Sequence, residues 1–302
     1  MNTLIVITGP TAVGKTELCL RIAEKFNIPV INADSRQIFR GMQIGTAAPT
    51  PEQRKRVRHY FVDLLELDEY YNASMYEQDV MKLLYSMFKD KDNAIALLTG
   101  GSMMYIDAVC NGIDDIPTIS DEVRLLYKQR LEKEGLTTLL QELKVKDPQY
   151  YDFVDKNNPR RVVHGLEICH QTGRTYSSFR VKEKKQRPFR IIKIALNRDR
   201  EELYSRINRR VDEMMENGMV EEARLLLPYR SLNALNTVGY KELFRFFDGE
   251  WTMEEAIERI KGNTRRYARK QLTWYKKDND IVWFDAAETD KVFMYLVDKL
   301  TC

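Results

Sequence analysis

The chain has 302 residues and a net charge of only +3, long enough to bury a substantial core in one large domain or two smaller ones. Its one apolar stretch near the start, residues 4–8, is far too short to span a membrane and follows no basic region of the kind a signal peptide has, and a soluble, cytoplasmic protein is expected. Cys19, Cys110, Cys169 and Cys302 are scattered and the chain has three histidines, which argues against a zinc site or disulfide framework and predicts buried free thiols.

The charge is unevenly placed. Between residues 156 and 193 eleven Lys and Arg stand against Glu167 and Glu183, and between 259 and 277 eight Lys and Arg meet no acid. One such run reads as a solvated face; two predict a polyanionic partner. Tyr267, Trp274 and Tyr275 interleave the second run, a pattern that suits stacking on bases and equally suits the buried stripe of a helix.

In chain order, 2–8 reads as a buried parallel strand, and 16–26 as an amphipathic helix with Leu18, Ile22 and Phe26 on one face. Between them stand Gly9, Pro10, Thr11, Ala12, Val13, Gly14, Lys15 and Thr16. This is the P-loop template in its proper setting, a strand before and a helix after. Backbone N–H groups and the helix dipole make that spot attract an anion, Lys15 adds a mobile charge, and the Thr16 hydroxyl suits a phosphate-bound Mg²⁺. A phosphate or diphosphate site is the expectation.

A second strand, 29–33, ends at Asp34, on the side of the sheet where residues beyond the carboxyl ends of strands line a ligand crevice. Residues 34–47 carry glycines and polar groups without periodicity and read as a functional loop. A strand at 59–64, a helix at 74–88 capped by Ser74 with Glu77 three residues on, and a buried strand at 94–98 follow. That last strand runs into Thr99-Gly100-Gly101-Ser102 with no carboxylate. The lack weakens an ATPase or GTPase reading and favours a reaction in which the loop holds a diphosphate that leaves.

Residues 113–117 read as a linker, Ser120 caps a helix at 120–133 bearing Arg124, and Pro159 opens another after Asn158. Residues 182–188 are too polar and basic to fold alone. A strand at 190–196 precedes helices that run nearly to the end. In the first of these, 198–215, Leu203, Ile207, Val211 and Met214 form a stripe with Arg206, Arg209 and Arg210 offset from it. The fold class is α/β: a P-loop NTPase-like parallel sheet core flanked by helices, 1–112 with 190–302, and a mostly helical, basic insertion at 113–189.

Three segments go beyond a generic P-loop protein. Residues 9–16, the run Asp-Ser-Arg-Gln-Ile-Phe-Arg-Gly-Met-Gln-Ile-Gly-Thr-Ala at 34–47, and Asn-Pro-Arg-Arg-Val-Val-His-Gly-Leu-Glu-Ile at 158–168 together resemble the tRNA dimethylallyltransferases. Val238-Gly239-Tyr240-Lys241-Glu242 and residues 265–275 are similar to that family's C-terminal motifs, so the resemblance covers nearly the whole chain.

The resemblance implies transfer of a dimethylallyl group from dimethylallyl diphosphate to N6 of the adenosine 3′ of the anticodon, in tRNAs reading codons that begin with U. The related adenylate isopentenyltransferases share the core but act on free nucleotides; the basic helical insertion favours the tRNA anticodon stem-loop as partner. An exocyclic amine is a poor nucleophile, so a carboxylate should take its proton, and Asp34 is the choice, against its alternative as the cap of a turn. Residues 9–16, Mg²⁺ on Thr16 and Arg206, with Arg209 and Arg210 as competitors, would neutralise the leaving diphosphate. Ser102 would sit beside the target base or serve as a turn or helix-cap hydroxyl. Asp34, Ser35, Arg36 and Gln37 resemble the base-contacting stretch, Gln37 suiting a purine edge, while Arg124, Pro159, Arg160, Arg161, Val162 and Val163 are the expected anticodon-loop contacts. Arg36 replaces an apolar residue, and Met104 the Leu usual before Tyr105. No zinc-finger extension follows, as in the bacterial form, and nothing demands more than a monomer. The rivals are a small-molecule or nucleoside kinase, which leaves 34–47 and both basic runs unexplained, and an RNA-binding nucleotide switch.

Overall fold

The structure, a computed structural model, describes residues 1–180 and 184–301; Lys182 and Glu183 of the first basic run, and the Cys302 thiol, lie outside the described residues. The chain divides into two compact units, Met1–Asn111 with Gln186–Cys302, and Gly112–Lys185. The first half of the larger unit runs β1 (Thr3–Thr8), α1 (Lys15–Phe26), β2 (Val30–Asn32), α2 (Pro51–Arg56), β3 (His59–Tyr60), α3 (Ala73–Phe88), β4 (Ile95–Thr99) and α4 (Met103–Asn111). The smaller unit holds α5 (Asp121–Lys146), α6 (Pro148–Phe153) and α7 (Pro159–Thr172). The larger then resumes with β5 (Arg190–Asn197), α8 (Arg200–Glu216), α9 (Met219–Leu226), α10 (Tyr240–Phe247), α11 (Met253–Tyr275), β6 (Ile281–Asp285) and α12 (Thr289–Thr301).

The six strands form one parallel sheet in the order β3-β2-β4-β1-β5-β6. Every residue of β1 is buried, as a central parallel strand covered on both faces requires. Side chains alternate across it: Ile5 and Ile7 join Leu97 and Ile194 under α1 and α12, while Leu4 and Val6 join Leu98 and Ala195 under α3 and α4. Because β1 has β4 on one side and β5 on the other, the crevice opens where their carboxyl ends diverge. A third cluster ties the loop at 34–47 to the C-terminal helices, with Ile38, Phe39 and Met42 packed among Val211, Leu226, Leu243 and Phe244.

Several local expectations are corrected. The 59–64 strand stops at Tyr60 because Phe61 and Asp63 have positive φ, 61° and 48°. The cap of α3 is Asn72, whose side chain accepts from the Met75 N–H, and not Ser74; Glu77 instead forms a buried ion pair with Arg187 at 2.7 Å. Helices do not fill the C-terminal part, since β6 pairs parallel with β5. Cys19, Cys110 and Cys169 are buried free thiols, and burial pushes the Cys19 thiol up to about 11 and that of Cys110 to about 12, which keeps both unreactive. Among the described residues no helix is long and apolar enough to cross a membrane.

The smaller unit has its own core of Tyr127, Leu139, Leu143, Tyr150, Val162 and Leu166. Ser120 caps α5, which breaks at Gly135 (φ 78°, ψ 166°), and Asn158 caps α7 with Pro159 at its first position. The buried Asp147 carboxylate accepts from the N–H groups of Tyr150 and Ser177 and from the Ser177 hydroxyl, fixing α6 against the turn after α7.

Candidate active site

The loop at residues 9–16 is shaped by two glycines. Gly9 has φ 133° and lies against β5, where a Cβ would come within 2.6 Å of the Leu196 carbonyl oxygen; Gly14 has φ 112° and caps α1. Only glycine adopts both conformations freely. Lys15 is folded back, its Nζ donating to the carbonyls of Gly9 (3.0 Å) and Pro10 (2.8 Å). Burial lowers its pKa to about 8; Arg210 lowers it further, while Cys19 and Asp34 act in the opposite sense.

Two arginines grip the loop, one just after β5 and one on α8. Arg206 Nε donates to the Ala12 carbonyl and Arg198 Nε to that of Val13, both at 2.9 Å. Arg210, one turn beyond Arg206 on the same face, makes no hydrogen bond or ion pair among the described residues and lines the cleft together with Arg206 and Arg209. Burial lowers its pKa, opposed by the carboxylates of Asp34 and Glu213.

Asp34 does what a turn-capping aspartate does and more. Its Oδ1 accepts from the N–H groups of Arg36 (2.9 Å) and Gln37 (3.3 Å). Its Oδ2 faces Gly101, where a Cβ would meet it at 2.6 Å, and Gly100 is so close to the Ala33 carbonyl that a Cβ would sit at 2.2 Å. The β4 exit therefore holds glycines because the Asp34 turn packs directly against it. Ser102 bridges the two turns: its Oγ accepts from the Ser35 N–H (2.8 Å) and donates to the Ser35 hydroxyl (2.9 Å). The Gln37 amide donates to the carbonyls of Thr46 and Ala47, so its nitrogen fastens the loop. Arg36 reaches the Asn233 carbonyl at 2.7 Å, a contact that the apolar residue usual there would lack.

These groups line two connected chambers at the carboxyl ends of the strands. One, about 600 Å³, is floored by the loop and bounded by Arg206, Arg209 and Arg210. The other, about 370 Å³, takes in Ser35, Arg36 and Ser102 with the apolar walls Ile207, Val211 and Val238. Thr11, Asp34, Thr46, Arg210 and Tyr267 belong to both, which puts the carboxylate at the junction.

Some of what holds the junction escapes sequence reasoning. Gln271, fully buried, accepts from the Thr11 N–H and donates to the Gly101 carbonyl, each at 2.8 Å, and the Tyr267 hydroxyl donates to that same carbonyl. The aromatic interleaving of the second basic run thus serves the fold and the cleft: Tyr275 is core, Tyr267 lines the cleft, and the i, i+4 partner of Tyr267 is the clamp. Glu222 accepts from the N–H groups of Gln43, Ile44 and Gly45 and from the Tyr240 hydroxyl, all at 2.7–2.9 Å. Gly45 in turn lies against the Tyr240 ring, where a Cβ would approach to 2.7 Å. Removing this anchor in Glu222→Ala should free residues 43–45. The expected result is loss of amide-exchange protection there and a fall in turnover efficiency of about tenfold, the order of one charge-assisted contact; unchanged protection would overturn the anchoring role.

In the smaller unit, Pro159, Arg160 and Arg161 are exposed at the start of α7, Arg124 and Val163 are half-buried, and Val162 is fully buried in the core. The Val162 side chain packs in that core, because the helical period that exposes Arg161 turns it inward.

The fold and cleft define a P-loop-like α/β protein with a cationic, two-chambered site. The sequence signature described as IPP transferase matches residues 37–278. The chain is 59% identical over 295 residues to tRNA dimethylallyltransferase 1 of Phocaeicola vulgatus, covering 98% of each. It is similar to the solved tRNA isopentenylpyrophosphate transferase of Bacillus halodurans (TM-score 0.72, 33% identity, 99% of this chain and 97% of that one) and to a eukaryotic dimethylallyltransferase acting on tRNA (TM-score 0.80, 27% identity, 95% and 74%). The chain belongs to the IPP transferase family and is a prenyltransferase.

Proposed function

We propose that the protein transfers a dimethylallyl group from dimethylallyl diphosphate to N6 of the adenosine 3′ of the anticodon, in tRNAs reading codons that begin with U. The observation that carries this reading is the place of Asp34, at the junction of a chamber built for a diphosphate and one that admits a flat base. The diphosphate lies on residues 9–16 with its charge met by Lys15, Arg206 and Arg210. The alkyl carbon then points to the junction. The adenine, taken out of its stack, enters the second chamber beside Ser102 and Ser35 and presents its amine to Asp34 Oδ2. As the allylic C–O bond breaks and the C–N bond forms, that oxygen accepts the amine proton. Fixed cations around the departing diphosphate stabilise the charge that develops on it.

Mg²⁺ fits this arrangement. The Thr16 hydroxyl is exposed on the cleft at the second position of α1 and makes no hydrogen bond among the described residues, which include no cluster of three His, Cys, Asp or Glu able to hold a metal. A hydroxyl, substrate oxygens and waters are the ligand set this ion prefers, and it would supply further charge neutralisation to the leaving diphosphate. Arg124, Arg160 and Arg161 supply cations suited to anticodon-loop phosphates. On this reading the protein works in the cytoplasm as a monomer.

The test is incubation of the protein with Mg²⁺, dimethylallyl diphosphate and unmodified tRNA with an A-rich anticodon loop, followed by nucleoside mass spectrometry. N6-dimethylallyladenosine at that one position is the expected product. Its absence, with ATP consumed instead, would replace this reading by that of a kinase.

A further inference from the structure

Outside the two chambers, α10, the turn after it and the first half of α11 enclose a third concavity of about 550 Å³. Its walls carry Lys241, Arg245, Trp251, Arg259 and Arg266, the four cations all exposed. The half-buried Trp251 indole lies within cation–π distance of two guanidiniums, Arg245 at 4.9 Å and Arg259 at 4.4 Å from the ring centroid. Two carboxylates also line the basin, and both are engaged. Glu242 is buried and accepts from the Gly239 N–H and the Asn263 amide, while Glu258 meets Lys261 Nζ at 3.3 Å.

The contrast with Lys261 is informative. Lys261 is an ordinary paired surface charge, held by Asp212 at 2.8 Å and by Glu258. Arg259, Arg266 and Lys241 form no ion pair among the described residues, and Arg245 has only the exposed Glu250 at 3.5 Å. Like charges gathered in excess of their counter-charges repel one another, and a polyanion relieves that repulsion. Lys241 also lines the chamber that holds Ser102 and Asp34, so the basin continues from the place where the target base would sit.

We propose that this basin is a phosphodiester site for the RNA strand flanking the target nucleotide. The strand leaves the second chamber across Lys241, and one or two of its phosphates lie against Arg245 and Arg259. Arginine forks match phosphate oxygens two at a time. The indole, stiffened by the two guanidiniums, gives a sugar or base an apolar wall. The inference rests on tRNA being the acceptor and adds a contact surface on the larger unit.

The experiment measures binding of unmodified tRNA over a series of salt concentrations without donor, for the wild type, Arg245→Gln with Arg259→Gln, and a charge-matched control, Lys82→Gln with Lys291→Gln, on exposed parts of α3 and α12. Each lost phosphate contact lowers the slope of log affinity against log salt by about 0.7–0.9, so the basin variant should lose about 0.7–1.8, for one phosphate or two, while the control keeps the wild-type slope. The KM for tRNA of the basin variant should rise about tenfold near 0.1 M salt, and Trp251→Ala should weaken binding with the slope unchanged. An unchanged slope in the basin variant, or an equal loss in the control, would overturn the site. Because the slope is read without chemistry, a wild type that binds RNA but makes no prenylated base would overturn the functional reading and leave the basin tested on its own.

Discussion

Asp34→Asn is expected to lower prenyl transfer by about 10²–10⁴, the usual worth of a positioned proton acceptor. The variant separates the turn-capping contacts of this residue from the proton-accepting role proposed for it. Asparagine keeps the Oδ1 that accepts from the N–H groups of Arg36 and Gln37, so the turn and the loop it starts stay in place. It replaces Oδ2 by an amide nitrogen that cannot accept a proton. Donor affinity should therefore stay close to wild type while the single-turnover rate collapses, read by rapid quench with radiolabelled donor. Asp34→Ala, which also loses the cap, should show the same chemical loss with an added fall in stability of about 1 kcal/mol. If Asp34→Asn retains more than about a tenth of the wild-type rate, well above what loss of a general base allows, then the carboxylate serves the turn alone and another group takes the proton.

Much of this site is written locally. A strand, a two-glycine loop and a helix are adjacent in sequence, so that turn can be read from spacing alone, and the place of Asp34 in the cleft follows from the rule that strand ends line the crevice. The stripe of α8 was equally legible, since Leu203, Ile207 and Val211 repeat at helical spacing and are all buried. What cannot be read locally is which polar group meets which partner across the sheet. Arg198 and Gln271 bond loop residues 185 and 260 positions away. Glu222 reaches back 177–179 positions to Gly45, Ile44 and Gln43. Gln271 sits inside a run whose charge draws attention to its surface, yet it is the buried polar member of the apolar stripe. Phe61 and Asp63 show the opposite limit: apolar content suggested a strand, and left-handed backbone ended it. Val162 is buried although one helical step separates it from exposed Arg161, a difference that the segment's composition does not carry.

The donor side yields a pH-dependent prediction from Lys15. In the free protein this ammonium titrates near 8, lowered first by burial and next by Arg210. A bound diphosphate adds negative charge beside it and raises its pKa, so above pH 8 the complex takes up a proton on forming. The sign follows directly: donor KM is flat below about pH 8 and rises above it, approaching tenfold per pH unit until the bound-state pKa is reached. Lys15→Met keeps the length of the side chain but not the charge. It also loses the bonds to the Gly9 and Pro10 carbonyls. Its kcat/KM for the donor should fall by about 10²–10³, because the lost charge would oppose that developing on the leaving diphosphate. The rise in KM above pH 8 should vanish with it. Steady-state rates from pH 6.5 to 9.5 at saturating tRNA check both points. A wild-type KM that stays flat throughout, or a Lys15→Met profile that still rises, would assign the titration to another group and remove Lys15 from contact with the diphosphate.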